Sequence, residues 1–402
     1  MLNTNSPYLS DVFQWEFLPF FLRKNGGKAI KPNEYLTDYL SREAVNALHA
    51  ALGPQKAGAA ARSPVFMQVC FNAPHTPLQA LRSDYDDPSL SHISSHRERV
   101  YAAMIRALDR GVERIVSALT TLGELDNTLI VFTSDNGGAN YIGLQDVNAP
   151  LRGWKATFFE GGVRVPFLMQ WGNRIPVGSR FVGAASHVDL FPTFMSAANI
   201  TLPTAAAAPP SDDSQPPVRL PIQSNLDGID LLTRVAPPKA SAAATPSLYR
   251  SKRLYWRSSK YQAIIVGHWK LQVLAFYPSR IWLHDLLDNE LERHNNSLPL
   301  SEYHRLSTKF RHFSGDEQKQ ICSRDIPGSG LLFETVDITE DSVRAIFEAI
   351  SLHMLCEESE QQEPMWPALS LSPVPIDTSL YFENVSGLPT IPDSEDVIQW
   401  AN

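Results

Sequence analysis

The chain has 402 residues, of which 43% are hydrophobic, and a formal net charge of −8. This length allows one large domain and a smaller one, and the hydrophobic content excludes general disorder. A negative net charge argues against a nucleic-acid-binding protein, which would present a basic face. No apolar stretch reaches the length of a bilayer, so no membrane span is predicted.

The three cysteines are Cys70, Cys322 and Cys356, and none belongs to a C-x-x-C pair. Because zinc clusters and disulfide frameworks need paired cysteines at suitable spacings, we predict neither. The first residues lack a basic leader, and the apolar run at 17–22 is too short for the core of a signal peptide. No signal peptide is therefore predicted, and the compartment stays open.

The first regular elements predicted are a helix and a strand. A helix capped by Thr37 or Ser41 runs to about Leu52. A strand at 65–71 (VFMQVCF) leads straight into a loop stiffened by two prolines, which holds His75 at the end of the strand. A single histidine in a loop is more often an ordinary surface residue than a catalytic one.

The clearest helix is predicted over residues 98–122, where apolar residues recur at spacings of three and four and Gly123 follows as the C′ residue. A strand at 128–134 comes next and ends at Asp135 and Asn136. These two side chains offer carboxylate and amide oxygens, which suit calcium or magnesium. On its own, however, D-N-G-G is usually a turn.

Another buried strand is predicted at 167–171. His187 and Asp189 open a predicted helix, and they form either a second site or a capped helix start with the carboxylate near the positive end of the dipole. Arg152 and Arg164 are interpreted as structural residues that tie loops to neighbouring carboxylates or carbonyls.

The last third of the chain changes character. Residues 203–221 and 235–247 are rich in Pro, Ala and Ser and are interpreted as surface loops or linkers. Short β-type runs follow, and a helix over 341–355 is expected to pack on them. The predicted strands lie at 254–257, 261–266, 269–273 and 282–286. We therefore divide the chain into residues 1–235 and 236–402.

Three segments follow one another closely in the centre of the chain: residues 135–138 (DNGG), 150–155 (PLRGWK) and 160–166 (EGGVRVP). Together they resemble the sulfatases, the sulfate-ester hydrolases of the alkaline phosphatase-like superfamily. The H-x-P-L form of residues 75–78, upstream of these segments, is similar to the same family. The resemblance covers roughly residues 30–300.

The resemblance implies an α/β fold, in which an alkaline phosphatase-like mixed sheet, incomplete at its N-terminus, lies between helices and a small C-terminal α+β domain carries an antiparallel sheet. It also implies hydrolysis of a sulfate monoester, carried by a sulfated small molecule or glycan, with calcium or alternatively magnesium. By the same resemblance, His75 contacts the ester and helps to protonate the leaving oxygen, Lys155 binds the sulfate, and Asp135 and Asn136 are metal ligands.

Several family motifs are not found in the 402 residues. They are an Asp-Asp pair, the C-x-P-x-R motif whose cysteine is oxidised to the formylglycine nucleophile, and a G-K-W-H-L-G segment. Calcium takes about six to eight oxygens, so two ligands predict weak metal affinity. The chain is interpreted as an N-terminally truncated copy or as a divergent relative without the chemistry. A phosphohydrolase of the same superfamily, with a Ser or Thr nucleophile, is a further alternative. Sulfatases are typically lysosomal, secreted or periplasmic.

Overall fold

The structure is a computed structural model of the 402-residue chain. It describes residues 22–23, 25, 29–30, 32, 34–54, 63–144, 146–172, 174–179, 184–200, 228–235, 253–258, 261–274, 279–287, 291–323, 326, 332, 339–360 and 399–401. The predicted linkers at 203–221 and 235–247 lie outside the described residues, except for Val235, which ends a short helix.

Helices and strands are mixed along the chain. The strands are β1 (Leu22–Arg23), β2 (Ala29–Ile30), β3 (Gln79–Leu81), β4 (Ile130–Thr133), β5 (Phe167–Gln170), β6 (Leu254–Ser258), β7 (Tyr261–Val266), β8 (Trp269–Leu274), β9 (Arg280–Asp285) and β10 (Gln399–Ala401). The α-helices are α1 (Leu36–Leu52), α2 (Arg82–Tyr85), α3 (His96–Thr121), α4 (Glu160–Val163), α5 (Leu190–Ala197), α6 (Leu232–Val235), α7 (Leu300–His312), α8 (Gly315–Ser323) and α9 (Glu340–Glu360). Within the described residues, no helix combines the length and the apolar character needed to cross a bilayer.

The long helix α3 forms as its apolar spacing predicts. The Ser95 hydroxyl accepts a hydrogen bond from the Glu98 amide and caps the first turn. Gly123, at φ +71°, follows the last turn and adopts a left-handed conformation that other residues resist. The buried stripe of α3 faces the protein interior and includes Val100, Ala103, Met104 and Ala107. The prediction of this helix is confirmed.

Ion pairs join α1 to α3. Arg110 contacts the carboxylates of both Asp38 and Asp84, at 3.2 and 2.5 Å. Asp84 is nearly fully buried, and Arg106 approaches it at 3.6 Å. A buried carboxylate needs such partners because removal from water disfavours its charge. Asp84 lies on the short helix α2 and therefore serves the packing of α2 against α3.

The central strand β4 pairs antiparallel with β5, from Ile130 opposite Gln170 to Thr133 opposite Phe167. Both strands were predicted and are confirmed. The strand predicted at 65–71 is wrong, since the structure assigns no strand there and Phe66 is 71% exposed. An apolar run becomes a strand only where a neighbour supplies hydrogen bonds, and residues 65–71 have no such partner among the described residues.

Four consecutive strands, β6 to β9, form an antiparallel sheet in that order. Its strands were predicted to within a few residues, and both of its faces are buried. One face packs against α7 and α9 in a core that includes Ile264, Leu271, Leu283, Phe347 and Ile350. On the other face, Tyr261, Leu274 and Trp282 pack against Phe159, which precedes α4. The sheet thus lies between the C-terminal helices and the segment that carries α4.

A disulfide joins α8 to α9, contrary to the prediction that no disulfide framework exists. It links Cys322 and Cys356, which are 34 residues apart, whereas Cys70 is free and exposed. The closed loop restricts the unfolded chain, which stabilises the folded state by about 4 kcal/mol in the chain-entropy account. The spacing of the cysteines carried no signal because two helices, distant in sequence, bring them together.

Candidate active site

His75 and Lys155 lie in contact although they are 80 residues apart, with 3.0 Å between Lys155 Nζ and His75 Nε2. The other ring nitrogen, Nδ1, lies 2.8 Å from the Thr76 carbonyl oxygen. Because a carbonyl oxygen can only accept, Nδ1 carries the proton of that contact. In the neutral ring, Nε2 therefore accepts a hydrogen bond from the Lys155 ammonium.

Lys155 is held by its own backbone as well as by its side chain. Its amide donates to the Gly138 carbonyl at 3.1 Å. In the same turn, the Trp154 amide donates to Thr157 Oγ1, whose hydroxyl donates to the Trp154 carbonyl. The residue that presents the ammonium is therefore fixed to the end of the D-N-G-G segment.

Asn148 clamps these two segments together. Its Oδ1 accepts from the Gly138 amide at 2.7 Å, and its Nδ2 donates to the carbonyls of Gly138 and Gly153 at 2.9 and 3.2 Å. Sequence reasoning missed this residue. Its place two positions before the P-L-R-G segment was the available signal, but an asparagine in a loop has many ordinary uses.

Asp135 and Asn136 follow β4 after a single residue, Ser134. Asp135 Oδ1 accepts from the Asn136 amide at 2.9 Å, and Asn136 Nδ2 donates to the Gly137 carbonyl at 3.0 Å. Asp135 is exposed and Asn136 is half-buried. Both side chains have the oxygen donors that a hard divalent cation takes.

The oxygen atoms of Asp135 and Asn136 are of the type that a divalent metal ion prefers, but two side chains are too few to fill its coordination shell. The described part of the chain contains no group of three or more His, Cys, Asp or Glu side chains that could hold a metal. Calcium takes about six to eight oxygens, so Asp135 and Asn136 account for a part of one coordination shell.

A sequence profile described as Sulfatase matches residues 2–200. The crystal structure of Ps i-CgsB superposes on the chain with a TM-score of 0.54 and 30% identity, over 73% of this chain and 57% of that protein. The chain belongs to the sulfatase family. Its fold is the alkaline phosphatase-like α/β fold with a small antiparallel sheet in the C-terminal part, as the sequence predicted.

Curated sulfatases are similar over shorter stretches. The uncharacterized sulfatase YdeN of Escherichia coli is 31% identical over 169 residues, which make up 42% of this chain and 28% of that protein. The N-acetylgalactosamine-6-sulfatase of Canis lupus familiaris is 33% identical over 225 residues, or 56% of this chain and 37% of that protein. The chain thus spans about a third of the length of these relatives.

The remaining polar residues that the sequence singled out have structural contacts in this chain. Asp189 accepts hydrogen bonds from the amides of Ser186 and Ile229, which completes a capping box and supports the interpretation as a helix cap. Arg152 Nη1 donates to the Glu292 carbonyl at 2.9 Å. Arg164 lies 4.0 Å from Glu160.

The stability of this chain is expected to depend on pH through one buried histidine of the C-terminal sheet. Burial is the main cause that lowers the pKa of His284 from 6.5 to about 4; the positive charges of Lys270 and Arg152 act in the same direction, and the hydrogen bond to the His294 carbonyl acts against them. Between these two pH values the unfolded chain binds more protons than the folded chain, so stability falls as the pH drops from 6.5 towards 4. The loss should reach about 3 kcal/mol.

Urea unfolding between pH 4.5 and pH 7 would measure this effect. His284→Asn keeps a donor for the His294 carbonyl and should flatten the pH dependence. His304→Asn, at an exposed position of α7, is the matched control and should leave the dependence unchanged. Equal slopes in all three proteins would contradict the prediction.

Proposed function

We propose that this chain acts in the hydrolysis of sulfate monoesters, with His75 and Lys155 at the reacting ester. The single observation that carries the proposal is the 3.0 Å contact between Lys155 Nζ and His75 Nε2. Two residues that a sulfatase resemblance assigns to the sulfate are brought together from distant parts of the sequence. The Lys155 amide also donates a hydrogen bond to the Gly138 carbonyl, which places Lys155 beside the D-N-G-G segment and supports the same assignment.

The chemistry needs a cation and a proton donor at one point. A sulfate ester is already anionic, so a positive group must neutralise the charge on its oxygens as the bond to the leaving group breaks. We assign this role to the Lys155 ammonium. His75 is assigned the delivery of a proton to the leaving oxygen: Nε2 takes up a proton from solvent when the ester enters and passes it to that oxygen as the bond to sulfur breaks, while the Lys155 ammonium keeps its charge.

Asp135 and Asn136 are proposed ligands of the divalent metal that sulfatases generally use, and we propose calcium. When bound, the metal neutralises charge on the sulfate oxygens. The C-x-P-x-R nucleophile motif is not found in the 402 residues, so no residue of this chain is assigned the attack on sulfur. We propose residues 1–235 as the catalytic part and residues 236–402 as the C-terminal part.

A sulfated glycan is the substrate class that the related proteins support. Ps i-CgsB has also been solved in complex with k-i-k-neocarrahexaose, at the same TM-score of 0.54 and 30% identity. The dog relative is named for an aminosugar, N-acetylgalactosamine. Both names refer to sugars, and we therefore propose a sulfated sugar unit as the group that enters beside His75 and Lys155.

The proposal is tested by the hydrolysis of 4-nitrophenyl sulfate, with calcium and after its removal by a chelator. We expect turnover that calcium increases and that exceeds turnover of 4-nitrophenyl phosphate. Sulfate-ion binding by calorimetry is measured in parallel. A folded chain that binds sulfate without turnover would support the alternative of a sulfate-binding protein, and a preference for the phosphate ester would support a phosphohydrolase.

A further inference from the structure

Two buried acids and two bases lie between the four-stranded sheet and the segment that carries α4. We call Arg152, Glu160, Lys270 and Glu292 the buried charge cluster. Lys270 Nζ lies 2.7 Å from Glu160 Oε1 and 2.9 Å from Glu292 Oε1. Lys270 and Glu292 are fully buried, and Glu160 is 6% exposed. Because the charges of two bases and two acids cancel, the cluster is neutral as a whole.

Further hydrogen bonds fix the geometry of the cluster. The Glu160 amide donates to Glu292 Oε2 at 2.6 Å, and Gln272 Nε2 donates to Glu292 Oε1 at 3.0 Å. The Tyr261 hydroxyl in turn donates to Gln272 Oε1 at 2.7 Å. Each buried group is satisfied by a partner in a defined position, and this arrangement restricts the cluster to one geometry.

The same cluster closes the turn that carries Lys155. Arg152 and Glu160 stand on either side of Lys155 in the sequence, and the Gly161 amide donates to the Arg152 carbonyl at 2.6 Å. Glu160 and Arg152 are each tied to Glu292, which comes from the loop after β9. The two ends of the turn are thus fastened to the C-terminal sheet, and its middle presents the ammonium to His75.

We infer that Lys270, together with Glu160 and Glu292, is a positioning residue for Lys155, so that the C-terminal sheet sets the place of the sulfate ligand. The inference rests on the proposed function for the role of Lys155. Lys270 acts through Glu160. A buried ammonium is unfavourable without a carboxylate beside it, so Glu160 must stay next to Lys270, and this fixes one end of the turn that carries Lys155. A sheet that carries no assigned ligand thereby becomes part of the site.

The test measures the position of Lys155 in the full chain. Under native conditions, acetylation of Lys155 by an acetyl succinimidyl ester is followed by mass spectrometry, with exposed Lys309 on α7 as the internal reference. In Lys270→Met, the rate at Lys155 should rise about fivefold, as expected when one ordinary hydrogen bond is lost. The rate at Lys309 should not change.

The matched control is Leu271→Ala, which removes buried contacts from the neighbouring residue on the opposite face of the sheet. It is compared with Lys270→Met under conditions where both proteins are fully folded. Glu292→Gln, which keeps the side-chain volume, repeats the test in a chain whose packing is unchanged. An unchanged Lys155 rate in Glu292→Gln, or equal rates in Lys270→Met and Leu271→Ala, would overturn the inference.

The double variant Lys270→Met/Glu160→Gln separates positioning from stability. It restores the charge balance, with Arg152 and Glu292 remaining, and should regain resistance to urea. If Lys270 positions Lys155, the acetylation rate stays raised in the double variant. If Lys270 serves stability alone, the acetylation rate of Lys155 returns to that of the wild-type chain, and this result refutes the inference. None of these readouts needs turnover, so they are decided independently of the proposed function.

Discussion

Gly137→Ala should abolish sulfate binding and lower turnover by at least ~100-fold, because a misplacement of about 1 Å in an active site has an effect of this size. A Cβ atom at this position would overlap the Gly161 carbonyl oxygen and lie 2.8 Å from the Gly161 carbonyl carbon. The neighbouring atoms are backbone and cannot swing aside. The Gly137 amide also donates to the Gly162 carbonyl at 3.0 Å, so the whole D-N-G-G segment must move.

The expected consequence extends to folding. Separating the two backbone segments should lower the free energy of unfolding by about 3 kcal/mol, measured by urea titration. Gly315→Ala is the matched control, since a Cβ there meets no atom within 4 Å. It should leave sulfate binding and turnover unchanged. Sulfate binding retained by Gly137→Ala would show that the close approach of these backbones is not required for the site.

Lys155→Met and His75→Gln should each lower kcat/KM for an aryl sulfate by about 100- to 1000-fold. Lys155→Met removes the cation for the sulfate oxygens, and His75→Gln removes the proton carrier while keeping a polar side chain. Since the two groups lie 3.0 Å apart, their effects should be coupled. We expect kcat/KM of the double variant to lie no more than about tenfold below that of the less active single variant, as for residues that act as a unit.

The double-mutant cycle is measured with 4-nitrophenyl sulfate, together with the dissociation constant of inorganic sulfate for each variant. Lys309→Met, on the exposed face of α7, is the control for loss of a lysine and should change neither quantity. Fully multiplicative effects of the two single variants would mean that His75 and Lys155 act at separate places. That result would contradict the proposed function.

The regular elements were predictable wherever the signal was local. The apolar stripe of α3 recurs within the helix itself, and the strand β4 is built on a short apolar run that ends two residues before Asp135. Residues 65–71 have the same composition as a strand and fail to form one, because strand formation depends on a partner that composition does not describe. The disulfide between Cys322 and Cys356 was missed for the same kind of reason.

The candidate site divides in the same way. Its residue types and their order, from His75 through Asp135 and Asn136 to Lys155, could be read from motifs along the chain. The residues that hold those side chains in place could not. Asn148 and Lys270 carry no distinctive local pattern, and their roles depend on hydrogen bonds to Gly138 and Glu160 that form only in the folded chain.

By itself, the sequence determined the family resemblance, the helices and strands with strong local periodicity, and the identity of the side chains that we propose as sulfate and metal ligands. Tertiary structure alone decided that His75 meets Lys155 across 80 residues and that Lys270 meets Glu160 across 110 residues. The physical reason is that periodicity and capping act between near neighbours, whereas these contacts depend on the path of the backbone through space. A buried charge needs a hydrogen-bonding partner, and the path of the backbone determines which residues lie close enough to be that partner.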